Sequence, residues 1–280
     1  MGKLRKRLLP QSVSDGVSVF ILTSLIQILY WFEVFMVLPK HYEDNIYIYA
    51  FHCVLSTWFL FNVMGNYVFL YLTDTSIQGK MLSSDFRPYW KYCEVCETLT
   101  PPRSWHCHIC KTCILKRDHH CNFAACCVGH LNHRYFLLFL FYLSVAGLYC
   151  AYYNAIFLWN TTSFAWSGIM KVVFPLAIFF SGSDMSLMQI YRVLCVTTIL
   201  GMIFVIAISM YYVQSATKGL VVYERANGIK DYQLGSVREN VIQALGERWY
   251  LVWISPFIYS RLPNDGIDWK PVKMISNKSK

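Results

Sequence analysis

The chain is poor in charge. Asp, Glu, Lys and Arg make up only 15% of its 280 residues, against about a quarter in ordinary soluble domains. A water-soluble globule must cover its surface with polar groups, and here too few are available. No internal repeat and no low-complexity linker is found, which sets aside repeat arrays and long flexible connectors. In place of charge the chain has 56% hydrophobic and 17% aromatic residues, a balance that excludes disorder and makes a bilayer the natural solvent for much of it. Acids are scarcer than bases, so the net charge is +9. That sign suits anionic lipid and leaves nucleic acid as a rival partner class.

Four stretches are apolar enough to cross about 30 Å of hydrocarbon as helices, which takes around 20 residues each. They are 16–38, 46–72, 135–159 and 193–213, and only the first carries a charged residue, Glu33. The first is too long for a signal-peptide core and reads as a retained anchor. Glu33 lies near the far end of its helix and reads as snorkelling to the interface. His52, Asn62 and Asn66 are expected to bond between helices. Met1-Gly2 opens like a myristoylation site but has Lys6 where Ser or Thr belongs, so it carries little weight. Residues 164–180 are also apolar, but Lys171 and Pro175 interrupt them, and they read as an interfacial or re-entrant stretch.

Charge placement sets the topology. Four Lys and Arg lie in residues 1–15, eight in 73–134 and ten in 214–280, leaving three elsewhere. The positive-inside rule puts both termini and the 73–134 loop in the cytosol. The expected organisation is therefore an α-helical polytopic membrane protein: a cytosolic N-terminus (1–15), transmembrane helices 1 and 2 (16–72), a cytosolic cysteine-rich domain (73–134), helices 3 and 4 with a luminal loop (135–213), and a cytosolic C-terminal region (214–280). In the last, Ser236 and Glu239 form a capping box ahead of a short amphipathic helix ending at Gly246. Trp249–Ile258 suits the headgroup level. Endomembranes, Golgi or endoplasmic reticulum, are the expected location, with Lys278 and Lys280 a faint retrieval signal.

Eight of the eleven cysteines fall between Cys93 and Cys127. A reducing cytosol does not maintain disulfides, so zinc is the alternative. Paired Cys-x2-Cys hooks let two thiolates meet one tetrahedral ion, and six Cys with two His would fill two sites of Cys3His type. A structural double zinc knuckle accounts for most of these residues. It leaves over parts of the run Asp118-His119-His120-Cys121, in which a carboxylate could orient an imidazole and the imidazole activate a thiol. Spacing alone does not choose between Cys121 and Cys126 as nucleophile, or between His119 and His120 as base.

The run Cys93-x2-Cys96-x9-His106-Cys107-x2-Cys110-x2-Cys113-x4-Asp118-His119-His120-Cys121-x5-Cys127-x4-Asn132-x3-Phe136, with Pro101-x-Arg103, resembles the cysteine-rich domain of the DHHC protein S-acyltransferases, the palmitoyltransferases. The four-helix layout is similar too, so the likeness spans nearly the whole chain. The resemblance implies one zinc on Cys93, Cys96, His106 and Cys113 and another on Cys107, Cys110, His120 and Cys127. It implies Cys121 as nucleophile, His119 as base and Asp118 as its orienting carboxylate. The family reaction moves a fatty acyl group from acyl-coenzyme A to that thiol and then to a cysteine of a membrane-associated protein. Arg103, Lys116, Arg117 and Arg134 are candidates for the coenzyme A phosphates, and no nucleic-acid partner is expected.

Departures from the family pattern are Asn122-Phe123 and Ala125-Cys126 where it has Pro-Trp and two Asn, and Val221-Val222-Tyr223-Glu224 where it has Thr-Thr-x-Glu. These leave a second reading, a weak or inactive membrane adaptor with a structural zinc loop. Tyr232, Asn240 and Gly246 resemble the family's C-terminal motif. On helix 3, Ser144, Ala146 and Gly147 either line an acyl cavity or let helices pack closely.

Overall fold

In the computed structural model, residues 4–85, 87–269 and 271 are described; Gly2, Asn277, Lys278 and Lys280 lie outside them. Four helices are long and apolar enough to cross a membrane: α1 (Val13–His41), α2 (Ile46–Leu72), α3 (His133–Thr161) and α6 (Leu187–Thr217). The cysteine-rich segment between α2 and α3 forms three two-stranded antiparallel hairpins. They are β1 (Lys91–Cys93) with β2 (Thr98–Thr100), β3 (Trp105–Cys107) with β4 (Thr112–Ile114), and β5 (His119–Cys121) with β6 (Cys126–Val128). The chain is thus a polytopic helical membrane protein with a Cys/His-rich domain between its second and third spans.

The helices outrun the purely apolar stretches because polar flanks continue the backbone ladder, as at Gln189, Arg192 and Gln214 of α6. Between α3 and α6 lie α4 (Trp166–Val173) and α5 (Pro175–Phe180), broken at the Phe174–Pro175 step and each too short to span. Then come α7 (Val222–Ala226) and α8 (Val237–Leu245), the latter capped by Ser236, whose hydroxyl accepts from Glu239 N–H.

The chain divides into two compact units. One holds 23–63 and 140–209, the other 1–22, 64–139 and 210–280. In the first, Phe32, Val37, Leu38, Tyr153, Phe157, Leu158 and Cys195 form an apolar core. Ser144 bonds Ser209 at 2.8 Å, and a Cβ on Gly147 would lie 3.2 Å from Met202 Cβ. These small residues of α3 serve close packing against α6. His52 Nδ1 meets the Tyr149 hydroxyl at 2.8 Å, an interhelical bond, and Asn62 donates to Trp58 O on its own helix.

Glu33 departs from the snorkelling expectation. It opens a π-helical turn, Glu33–Val37, and is buried, with its carboxyl facing the Cys150 thiol. The wider turn rotates the side chain inward, and π-turns within membrane helices often mark such special positions.

In the second unit, the segment after α2 joins the hairpins by backbone bonds from Ile77 N to Cys113 O and from Leu115 N to Thr75 O. Ile77, Cys113 and Leu115 form a small core beneath. The stretch after α8 packs on the end of α2: Phe257 stacks edge-on with Phe69, and a Cβ on Gly65 would come within 2.5 Å of Pro256 Cγ.

Candidate functional site

Strand alternation sorts the ligands. Successive side chains on a strand point to opposite faces, so adjacent His106 and Cys107 serve different clusters. The hook Cys93–Cys96 at the first hairpin meets His106 and Cys113, which are directly paired across β3 and β4. The hook Cys107–Cys110 at the second hairpin meets His120 and Cys127, paired across β5 and β6. Each hairpin thus supplies the hook of one cluster or closes the one before it. Glu97 and Lys111, each just after the second cysteine of a hook, adopt positive φ of 49° and 53°, a conformation costly for a side chain unless the surroundings hold it.

The donor sets fit tetrahedral zinc. Bond lengths near 2.3 Å to sulfur and 2.0–2.1 Å to nitrogen would put sulfur and nitrogen about 3.6 Å apart. His106 Nδ1 lies 3.7, 3.3 and 3.8 Å from the sulfurs of Cys93, Cys96 and Cys113. His120 Nδ1 lies 3.6, 3.4 and 3.7 Å from those of Cys107, Cys110 and Cys127. His120 turns its other nitrogen to Asp15, 3.3 Å from both carboxylate oxygens. A carboxylate behind a metal-facing imidazole fixes its tautomer and ring orientation. Asp15 sits in the first turn of α1, its N–H bonded to Ser12 Oγ at 3.0 Å. Sequence reading missed it, although an acid one residue before an apolar span and three after a serine was the available signal.

On the opposite face of β5, His119 and Cys121 point the same way. His119 Nδ1 lies 2.7 Å from Asp118 Oδ2, and the imidazole is also in hydrogen-bond contact with the Cys121 thiol. Burial works against the charged imidazole, but Asp118 and Cys121 outweigh it and raise its pKa to about 9. Burial also opposes the Asp118 carboxylate, yet the His119 bond, neighbouring imidazoles and a backbone N–H hold its pKa below the ordinary value. That N–H belongs to Val222 and donates to Asp118 Oδ1 at 2.9 Å. The backbone at the departed Thr-Thr position therefore still braces the aspartate. Phe136 and Tyr212 pack on the His119 ring at 5.0 and 5.2 Å, and Tyr212 OH lies 3.3 Å from Nδ1. Tyr212 carried no distinguishing signal in a chain with 20 tyrosines.

Cys126 stands directly opposite Cys121 across the hairpin. Its thiol is buried, 3.6 Å from Leu70 O, and burial raises its pKa. Cys121 is partly exposed. The turn after it is held by Tyr67, whose hydroxyl donates to Phe123 O at 2.8 Å. Asn132 donates to Cys127 O at 3.0 Å and accepts from Gly129 N at 2.8 Å.

The cations expected for phosphates are largely engaged within the chain. Arg103 is buried, donating from Nε and Nη2 to Glu224 at 2.6 Å each and from Nη2 to Gly219 O at 2.8 Å. Tyr232 and Trp269 flank its guanidinium. Lys116 is buried with its ammonium over Trp269; desolvation first, and then Arg103, lower its pKa to about 7. Neither head is presented to a solvent-borne phosphate. Arg117 contacts the Cys127 and Cys107 sulfurs. Arg134 donates to Ser260 O at 2.9 Å and to Tyr135.

Residues 87–229 match the model of the DHHC palmitoyltransferase family. The proteins named "Probable palmitoyltransferase ZDHHC24" are similar to this chain. That of Danio rerio is 34% identical over 230 residues, covering 81% of this chain and 78% of the relative. That of Mus musculus is 34% identical over 228 residues, covering 79% and 78%, and that of Homo sapiens 33% over 225 residues, covering 78% of each. With these matches and two Cys3His clusters beside an Asp-His-x-Cys arrangement, the chain belongs to the DHHC palmitoyltransferase family.

Proposed function

We propose that the chain is a protein S-acyltransferase that carries a fatty acyl group such as palmitoyl on Cys121. The observation that carries this reading is the line Val222 N–H, Asp118, His119, Cys121, in which each group orients the next. In the first step His119 accepts the Cys121 thiol proton, and the thiolate attacks the thioester carbonyl of acyl-coenzyme A. A new carbon–sulfur bond forms, the bond to coenzyme A breaks, and the departing thiolate takes the proton from His119. In the second step His119 deprotonates a client cysteine. Its thiolate then takes the acyl group and Cys121 leaves, reprotonated by His119. Asp118 holds the imidazole in the tautomer that leaves its other nitrogen free for this work.

The Cys3His clusters are proposed to hold one zinc each, and bound zinc supplies the cross-links that fix the hairpins. The eight ligands then set β5 so that His119 and Cys121 share the face away from the metal. The acyl chain is proposed to lie among the spanning helices: at about 0.8 kcal/mol per methylene, 14 to 16 carbons give roughly 10 kcal/mol of gross binding. Arg117 and Arg134 remain the proposed phosphate contacts. The excess of Lys and Arg in the termini and the cysteine-rich loop supports a cytosol-facing site on an endomembrane, with membrane-associated proteins as clients. The adaptor reading drew on the loss of Thr-Thr, and the bond from Val222 to Asp118 weakens it.

The test is transfer in membranes supplied with alkyne-tagged palmitoyl-coenzyme A and a cysteine-bearing client. Wild type should label the client, and His119→Gln should lose both self-labelling and transfer. Full transfer by His119→Gln would overturn the reading.

A further inference from the structure

A cavity of about 320 Å³ lies beside the second Cys3His cluster, within the range of small-ligand sites. Its lining is basic: Arg5, Lys6 and Arg7 from the N-terminal arm and Lys111 from the tip of the second hairpin, with Asp74 the one acid. The arm is pinned there by a bond from Arg5 N to Leu72 O at 2.8 Å and a bridge between Leu4 and Thr73. Arg5 lays its guanidinium 5.3 Å from the Tyr71 ring, and its Nη1 is buried without an acceptor. Asp74 spends Oδ1 on Ser76 N at 2.9 Å. Among the described residues, none of the four cations forms an ion pair with a carboxylate. A cavity edged by four cations without a carboxylate partner, one of which also has a desolvated guanidinium nitrogen with no acceptor, calls for an anion.

The level of the cavity narrows the anion. Its walls begin just past Leu72, where α2 ends, and just before Val13, where α1 begins. That is the depth at which phosphodiester and phosphomonoester groups of lipids sit, and Arg and Lys in such a setting are the usual partners of phosphate. We propose that this cavity binds a phosphate ester, with the headgroup of an anionic phospholipid as the source that its depth favours. The bound group would tie the N-terminal arm to Lys111, and through Cys110 to the second metal cluster. This goes beyond the proposed transferase reaction and does not depend on it.

The experiment uses the full chain in nanodiscs with its zinc content measured. Binding of a fluorescent phosphatidic acid is compared for wild type, the double variant Arg5→Gln with Lys111→Gln, and the control Lys218→Gln, an exposed cation at the end of α6. Inorganic phosphate and coenzyme A are added as competitors. The proposal expects the double variant to bind at least about tenfold more weakly at unchanged zinc content, and Lys218→Gln to bind as wild type. Loss of binding on adding millimolar phosphate or coenzyme A would keep the phosphate-ester site but assign it to a soluble source. Equal binding by wild type and the double variant, or an equal loss in Lys218→Gln, would overturn it. Retained transferase activity in the double variant leaves the reaction standing whichever way the binding falls.

Discussion

Arg103 and Glu224 form a buried two-bond ion pair, 121 residues apart in sequence, that fastens the segment after the fourth span to the cysteine-rich domain. Glu224 also accepts from Val221 N at 3.0 Å, so the pair sets the turn from which Val222 reaches Asp118. Removing one member leaves the other charge buried and alone, which costs about 3–5 kcal/mol. Glu224→Gln should therefore lower the denaturation midpoint and sharply reduce activity, and Glu224→Asp should do so as well, because its shorter arm cannot hold both nitrogens. Thermal melts of the two variants with intact zinc check this.

Asp15 predicts an asymmetry between the two Cys3His clusters. It backs His120 but touches none of the first cluster. Loss of such a carboxylate costs about 10–100-fold in metal affinity, so Asp15→Ala should release one zinc equivalent to a graded chelator well before the other. Simultaneous release of both, at the wild-type chelator concentration, would contradict the arrangement.

His130 predicts a pH dependence. It is buried and its Nε2–H donates to Asn264 O at 3.0 Å. Desolvation first and then Lys116 press its pKa down to about 3, with Arg103 adding to them and Asn264 and Asp265 opposing. An unfolded histidine titrates near 6.5, so between about 6.5 and 3 the unfolded chain binds a proton that the native one refuses. Stability from this group is full above that window and falls as pH drops through it, by up to about 1.4 kcal/mol per unit. Limited proteolysis near Asn264–Trp269 should accelerate at pH 5 relative to pH 7.5, and His130→Gln should flatten the difference.

Gly65 predicts a steric coupling. Gly65→Ala would drive a Cβ into Pro256 and should destabilise by about 1–3 kcal/mol through overpacking. Combining it with Pro256→Gly should restore most of the loss, a coupling that a double-mutant cycle measures.

The spans were legible in the sequence because apolar runs of more than 20 residues with at most one charge have few other uses in a protein. Their ends were not, since Gln189 or Gln214 is as compatible with a loop as with a helix flank. Spacing pointed to the cysteines as candidate metal ligands, but sorting them into clusters depends on hairpin register, which places His106 opposite Cys113 and His120 opposite Cys127. Only the family resemblance carried that information. A sequence does not show that Glu224 pairs with Arg103 or that Trp269 lies under Arg103 and Lys116. Glu33 was misread for a related reason: a π-turn shifts a side chain around its helix without leaving a mark in the residue types.

The central claim is that Cys121 carries the acyl group while Cys126, its cross-strand neighbour, does not. The most direct measurement is the intact mass and peptide map of zinc-loaded protein after brief incubation with palmitoyl-coenzyme A. The account predicts a single palmitoyl adduct, labile to neutral hydroxylamine, on the peptide containing Cys121, and none in Cys121→Ser that retains its zinc. An adduct that persists in Cys121→Ser, or one that maps to Cys126, would contradict it.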